Sequence, residues 1–238
     1  DLHRRRHSFP TRRSSDLIVR PSAIIGSADL QIRQLLSLSN QEGRELARSH
    51  SWQAITFEKS ITATATETQT GGKPADFDRF VDETFYNRTN KRPMQGPMTP
   101  QEWADYKGRS QTQIYDAFRV RGNDLLIAPT PTAGDTYVYE YVSKFWCTTA
   151  AGTTATLSAW AADDNVALLD EELIANGVSW RFLRAKGLDY SEAFRTYEIH
   201  KMQAISRDGG KRRINMAGGR SARMPTRPTW PDGNWSLS

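Results

Sequence analysis

Residues 118–146, FRVRGNDLLIAPTPTAGDTYVYEYVSKFW, restrict the possible fold more than any other stretch of the chain. A β-rich run ends at Gly122-Asn123-Asp124, and a short apolar run, Leu125 to Ala128, follows it. The turn-forming cluster from Pro129 to Asp135 then leads into Tyr137-Val138-Tyr139-Glu140-Tyr141-Val142. Glycine and asparagine supply the positive φ of a tight hairpin, and proline with glycine and aspartate marks a second reversal. Apolar and aromatic runs divided by such turns predict a meandering antiparallel sheet. The stretch holds no nucleophile with a base, no metal-ligand cluster and no phosphate loop, so it points to a building part rather than a catalyst.

Elsewhere the pattern is mostly helical, and the expected class is α+β. A helix is predicted over residues 27–48, capped by Ser27, with Leu30, Leu35, Leu38 and Leu46 on its apolar side. Trp52, Ile55 and Phe57 follow as core anchors, and residues 60–70 alternate Ile61, Ala63 and Ala65 with threonines as a half-buried strand does. Thr99, Pro100 and Glu102 form a capping box that opens a short helix ending at Gly108. A helix over residues 164–186, acidic at its start and basic at its end, should stop at Gly187, and a last one spans 190–207. These long helices form a bundle beside a sheet built from segments near 55–70 and 117–146. Residues 148–156, small and polar, read as a flexible loop.

The two ends differ from the middle. Residues 1–17, DLHRRRHSFPTRRSSDL, resemble the in-frame translation of a short-read sequencing adapter, so natural sequence is expected to begin near Ile18. Residues 18–210 then read as a single domain, and 211–238 as a basic Pro/Gly/Trp tail that is extended or disordered alone. Residues 1–17 carry +3 and residues 207–238 carry +5, which leaves −3 for 18–206 out of the formal +5. The basic balance of the whole therefore belongs to its ends, and whole-surface attraction to nucleic acid is not expected. No run of about 18 apolar residues suggests a membrane span.

Candidate chemistry is thin. His50 and His200 fall on different predicted helices. Asp163-Asp164 and Glu171-Glu172 are adjacent, and neighbouring helical residues point about 100° apart, so neither pair converges as a general acid and base must. The single cysteine, Cys147, excludes an intrachain disulfide and reads as a small buried hydrophobe. Gly71-Gly72-Lys73 and Gly209-Gly210-Lys211 lack the spacing of a phosphate loop, and Asn87-Arg88-Thr89 matches a glycosylation sequon only by chance. No catalytic, cofactor-binding or metal-ligating residue is assigned. The tail residues Arg223, Trp230 and Trp235 are the main candidates for partner contact, with Arg92, Asn123 and Asp124 behind them.

One ordered series of short motifs runs through the chain: Gln31 to Leu36, Asn40-Gln41-Glu42-Gly43, Ser51-Trp52-Gln53, Arg92-Pro93, Gly96-Pro97 and Pro100-Gln101-Glu102-Trp103. It continues through Arg121 to Asp124, Pro129-Thr130-Pro131, Glu140 to Ser143, Leu168 to Glu171, Lys186 to Tyr190 and Asp208-Gly209-Gly210. In that order the motifs resemble the podovirus-type phage head–tail adaptor family, which includes tail tubular and head-completion proteins. The resemblance implies a structural virion protein without catalysis or cofactor, assembled in the bacterial cytoplasm into a ring, commonly a dodecamer. Such a ring sits between the portal protein and the tail nozzle protein and is crossed by genomic DNA without sequence preference or membrane contact. Two other readings stand beside it: a nucleic-acid-binding module that uses the basic tail, and a phage-encoded hydrolase relying on Asp170 or Glu171.

Overall fold

The computed structural model describes residues 23–108, 115–150 and 152–209. Its first helix, α1 (Leu30–Ser49), begins behind Asp29, whose carboxylate accepts from Gln31 N at 2.8 Å. Ser27, the expected cap, instead accepts from Asp29 N through its hydroxyl. A carboxylate adds full negative charge to the positive end of the helix, which a hydroxyl does not. The later start also turns Leu30 outward, 77% exposed, while Ile32, Leu46 and Ala47 face the core.

A 3-10 turn (Gln53–Ile55) leads into β1 (Thr56–Thr62), which is shorter than the alternation suggested. Ile61 and Ala63 are buried, but Ala65 is exposed. The strand breaks because the Gln69 side chain folds beneath it. That carboxamide accepts from Thr64 N at 2.9 Å and donates to Thr64 O and Thr66 O at 3.1 and 2.5 Å. The strands β2 (Thr68–Gln69), β3 (Phe77–Phe80), β4 (Tyr86–Asn87) and β5 (Arg92–Pro93) follow. Next comes α2 (Pro100–Gly108), where the capping box is complete: Thr99 N donates to Glu102 Oε2 at 2.8 Å and Glu102 N to Thr99 Oγ1 at 3.3 Å.

The hairpin of β6 (Ala117–Arg121) and β7 (Asp124–Ala128) turns at Gly122, whose φ of 61° is the left-handed value the tight turn requires. The expected meander stops there. The 129–135 turn carries the chain out of the sheet β2-β7-β6 and into a second one, where β8 (Thr136–Ser143) is flanked by β1 on one side and by β3 and β4 on the other. The segments near 55–70 and 117–146 do pair with each other, but across two sheets rather than one.

The reason lies in β8, which is buried on both faces. Tyr137, Tyr139 and Tyr141 point into an aromatic layer with Phe85, Phe118, Leu125 and Ile127 that fills the space between the sheets. Phe85 stacks on Phe118 at 4.2 Å and on Tyr139 at 5.0 Å between ring centroids. Val142, on the opposite face, joins Leu46, Ile55, Trp146 and Trp180 under the helices. A single flat meander would leave one of these two faces in water.

Beyond β8, β9 (Cys147–Thr148) pairs with β10 (Val166–Ala167). The stretch read as a flexible loop therefore starts with Thr148 buried inside a strand. The third helix, α3 (Glu171–Ala185), begins seven residues later than the acidic pattern suggested. Asn165 Oδ1 accepts from Ala161 N and Ala162 N, which closes a turn, and Asp170 caps the helix by accepting from Glu172 N at 3.0 Å. Gly187, at φ 70°, ends it with Leu188 N donating to Leu183 O and Gly187 N to Arg184 O.

The last helix, α4 (Ser191–Arg207), returns along α3. Trp180 meets Phe194 edge-on at 5.1 Å, and Asn176 Nδ2 meets His200 Nδ1 at 3.0 Å, so the two helices run antiparallel. The class is α+β, as the sequence implied, with four α-helices and antiparallel sheets among the described residues.

Candidate interaction surfaces

Most of the residues that suggested chemistry are held in local contacts, whereas Asp164, Glu171 and Glu172 stand exposed. His50 lies 3.3 Å from Asp208 and edge-on to Trp52, whereas His200 is held by Asn176 further along α4. Asp170 is a helix cap, and Asp163 accepts from the backbone N–H groups of Ile24 and Ile25. Cys147 is fully buried beside Leu157 O, and burial pushes its thiol up to about 11, the opposite of an activated nucleophile. Lys73 donates to Gly122 O at 2.7 Å, and Gly72 O accepts from Tyr139 Oη at 2.6 Å, so this glycine pair braces the hairpin. Asn87 of the sequon is 0% exposed. Its amide donates to Asp116 at 2.7 Å and accepts from Asn90 N at 2.9 Å, which closes it to modification. Among the described residues, no group of three or more His, Cys, Asp or Glu is placed to hold a metal ion. No described helix is long and apolar enough to cross a membrane.

Among the described residues, the candidate contact residues fall at two places. Asn123 and Asp124 sit at the tip of the β6–β7 hairpin, whereas Arg92 lies exposed in β5 opposite Asn87. Gln95 bridges Ala117 at the base of that hairpin, which places Arg92 toward the end away from the tip. Arg223, Trp230 and Trp235 lie outside the described residues, as do the adapter-like residues 1–17.

What sequence reading missed is a charged node under the helices. Glu42 of α1 is 0% exposed, its carboxylate accepting from Arg181 Nε at 2.6 Å and from Tyr197 Oη at 2.5 Å. Arg181 also reaches Glu45 at 2.6 Å with Nη2. Burial weakens the Arg181 cation, but Glu42 outweighs it and holds the guanidinium above its ordinary pKa. Burial, with the Glu42 carboxylate beside it, pushes the Tyr197 phenol far above its ordinary value. The node joins α1, α3 and α4, and Gly177 is required there because a Cβ would overlap the Glu42 carboxyl group. The only trace in sequence is the Gln41-Glu42-Gly43 break in the apolar side of α1.

Two open concavities flank the helices. One, of about 660 Å³, mixes charged and aromatic walls and lies over Arg48, Arg184, Lys201, Trp180 and Phe194. The other, of about 490 Å³, runs between α1 and α3 and is walled by Leu35, Leu36, Trp160, Ile174 and Val178. Trp160 is pinned there by Asn40, which accepts its backbone N–H at 2.8 Å, and by Ser39, which accepts its indole N–H at 2.7 Å.

Comparison with known families finds one whose description is SU10 adaptor protein, matching residues 13–229. No curated protein matches significantly.

Proposed function

The chain belongs to the SU10 adaptor protein family, and we propose that it is the subunit of a ring joining the phage portal to the tail and lining the DNA passage. As a member of that family it is a phage adaptor, a structural component of the virion. The observation that carries the proposal is the family match over most of the chain. The described core supports it in kind. Asp170 caps a helix, Glu42 is bonded to Arg181 and Cys147 is packed away, which suits a part that works by burying shape-matched surface.

Ring formation requires a heterologous interface that closes by rotation. The partners of the proposed ring are further copies of the chain, the portal protein and the tail nozzle protein. A mildly acidic body is suited to a lumen, because a strongly basic one would hold passing DNA through its phosphates. Arg223, Trp230 and Trp235 of the basic tail are the proposed docking residues on a neighbouring protein, with Arg92, Asn123 and Asp124 as secondary sites.

The test is imaging by negative stain and mass photometry of a chain beginning at Ile18, with and without its portal. Ring-shaped particles on the portal are the expected result. A persistent monomer that ignores the portal would overturn the proposal. Deleting residues 220–238 separates the tail's role: DNA affinity lost with ring assembly intact would favour a nucleic-acid-binding module instead.

A further inference from the structure

We infer that the apolar groove between α1 and α3 receives the outer face of α4 from a second copy of this chain. Of the ten large apolar side chains left exposed among the described residues, five lie from Leu188 to Met202, and Tyr190 and Phe194 of these lean on Trp180 of α3. Ile199 and Met202, three residues apart and therefore on one helix face, are 45% and 64% exposed. That face points away from α3, because Tyr197 and His200 are the α4 residues that reach the Glu42 node and Asn176.

The groove is the matching shape. Leu35, Leu36, Trp160, Ile174 and Val178 present apolar walls to a volume of about 490 Å³, many times the ~30 Å³ share of one liquid water. Charge agrees with shape. Glu171 stands exposed at the groove, and Arg195, four residues before Ile199 on the α4 face, is exposed as well. The ion pairs among the described residues involve neither, and in the docked pair one supplies what the other lacks. An apolar ridge with a flanking cation fits an apolar groove with a flanking carboxylate better than it fits nucleic acid, which would ask for a track of cations.

Groove and ridge are different patches of one molecule. Their union is therefore head-to-tail, the kind of contact that propagates and closes into a ring. The inference rests on the reading of the chain as a ring subunit, and it names the surfaces that such a ring would use.

Two substitutions at exposed positions test it without touching the core: Met202→Lys on the ridge and Ala175→Arg beside the groove. Self-association of the full chain is followed by sedimentation velocity up to about 1 mM, where even a millimolar Kd registers. The wild-type chain is expected to associate, and each variant alone to do so about tenfold more weakly: Met202→Lys buries a cation in the apolar contact, and Ala175→Arg fills the groove edge and takes Glu171, four residues earlier, away from Arg195. Mixed in equal amounts, the variants keep one intact groove and one intact ridge between them, and should stop at dimers.

Variants that associate like the wild type overturn the inference, and so does association that disappears only when residues 210–238 are deleted, which would make the tail the occupant. A wild-type chain that stays monomeric alone, together with variants that still form rings on the portal, overturns this interface while leaving the adaptor reading in place. A chain that ignores the portal removes both.

Discussion

Replacing Arg181 with methionine strikes the Glu42 node while preserving most of the rest. Met keeps an apolar stem over the Trp180 ring, where the guanidinium carbon now lies 4.5 Å from the ring centroid. What disappears is the cation bonded at 2.6 Å to a carboxylate with no exposed surface. The Arg181 side chain is itself only 13% exposed, so the pair is little screened by solvent. Its second bond, to Glu45, adds little because that side chain is 51% exposed. Breaking a buried pair by removing one partner costs about 3–5 kcal/mol, since it strands the other charge. For a chain of this size that corresponds to a fall in Tm of roughly 6–20 °C.

The cycle is completed by Glu42→Gln, which removes the charge and keeps the shape, and by the double variant. If the cost of Arg181→Met is a stranded carboxylate, the double variant should be more stable than the sum of the singles predicts, by at least about 2 kcal/mol. Urea denaturation followed by tryptophan fluorescence reads all four proteins. An Arg181→Met cost below about 1 kcal/mol, or additivity within about 0.5 kcal/mol, would refute the account of the node.

Gly43→Ala should destabilise despite the better helix propensity of alanine, because the new Cβ would fall within the indole of Trp146, which is 0% exposed. Overpacking of about 1–3 kcal/mol outweighs a propensity gain of about 1 kcal/mol, and a stabilised variant in chemical denaturation would contradict this. The buried tyrosines predict alkaline sensitivity: burial first, and then the Asp76 carboxylate, push Tyr141 up to about 12, and burial raises Tyr137, Tyr139 and Tyr197 as well. A raised pKa favours the protonated native form, so stability is intact below the ordinary phenol value near 10 and falls as pH rises from 10 toward 12, by about 2–3 kcal/mol for Tyr141 alone. Denaturation curves that stay flat from pH 10 to 12 would falsify this.

Local chemistry was legible wherever a few neighbouring residues settle it. The capping box at Thr99 and Glu102, the hairpin turn at Gly122 and the helix stop at Gly187 all depend on backbone angles and hydrogen bonds within five or six positions. Where a nearby rival existed, the reading slipped by part of a turn or more. Asp29 displaced Ser27, and the acidic residues before α3 went into a turn around Asn165 rather than into the helix. Of the candidate contact residues, Asn123 and Asp124 lie together at the hairpin tip and Arg92 lies apart from them in β5.

By itself, then, the amino-acid order determined the class, α+β, and most of the places where the chain turns, caps or stops. Tertiary structure alone decided that β7 and β8 belong to different sheets, because a strand with apolar residues on both faces must find cover on both sides. It alone decided that Glu42 is buried, since the cation and the hydroxyl that make burial tolerable come from 139 and 155 positions away. Turn and cap preferences act over a few bonds and survive in any context, whereas burial and sheet membership depend on which distant residues arrive. No local pattern carries that information.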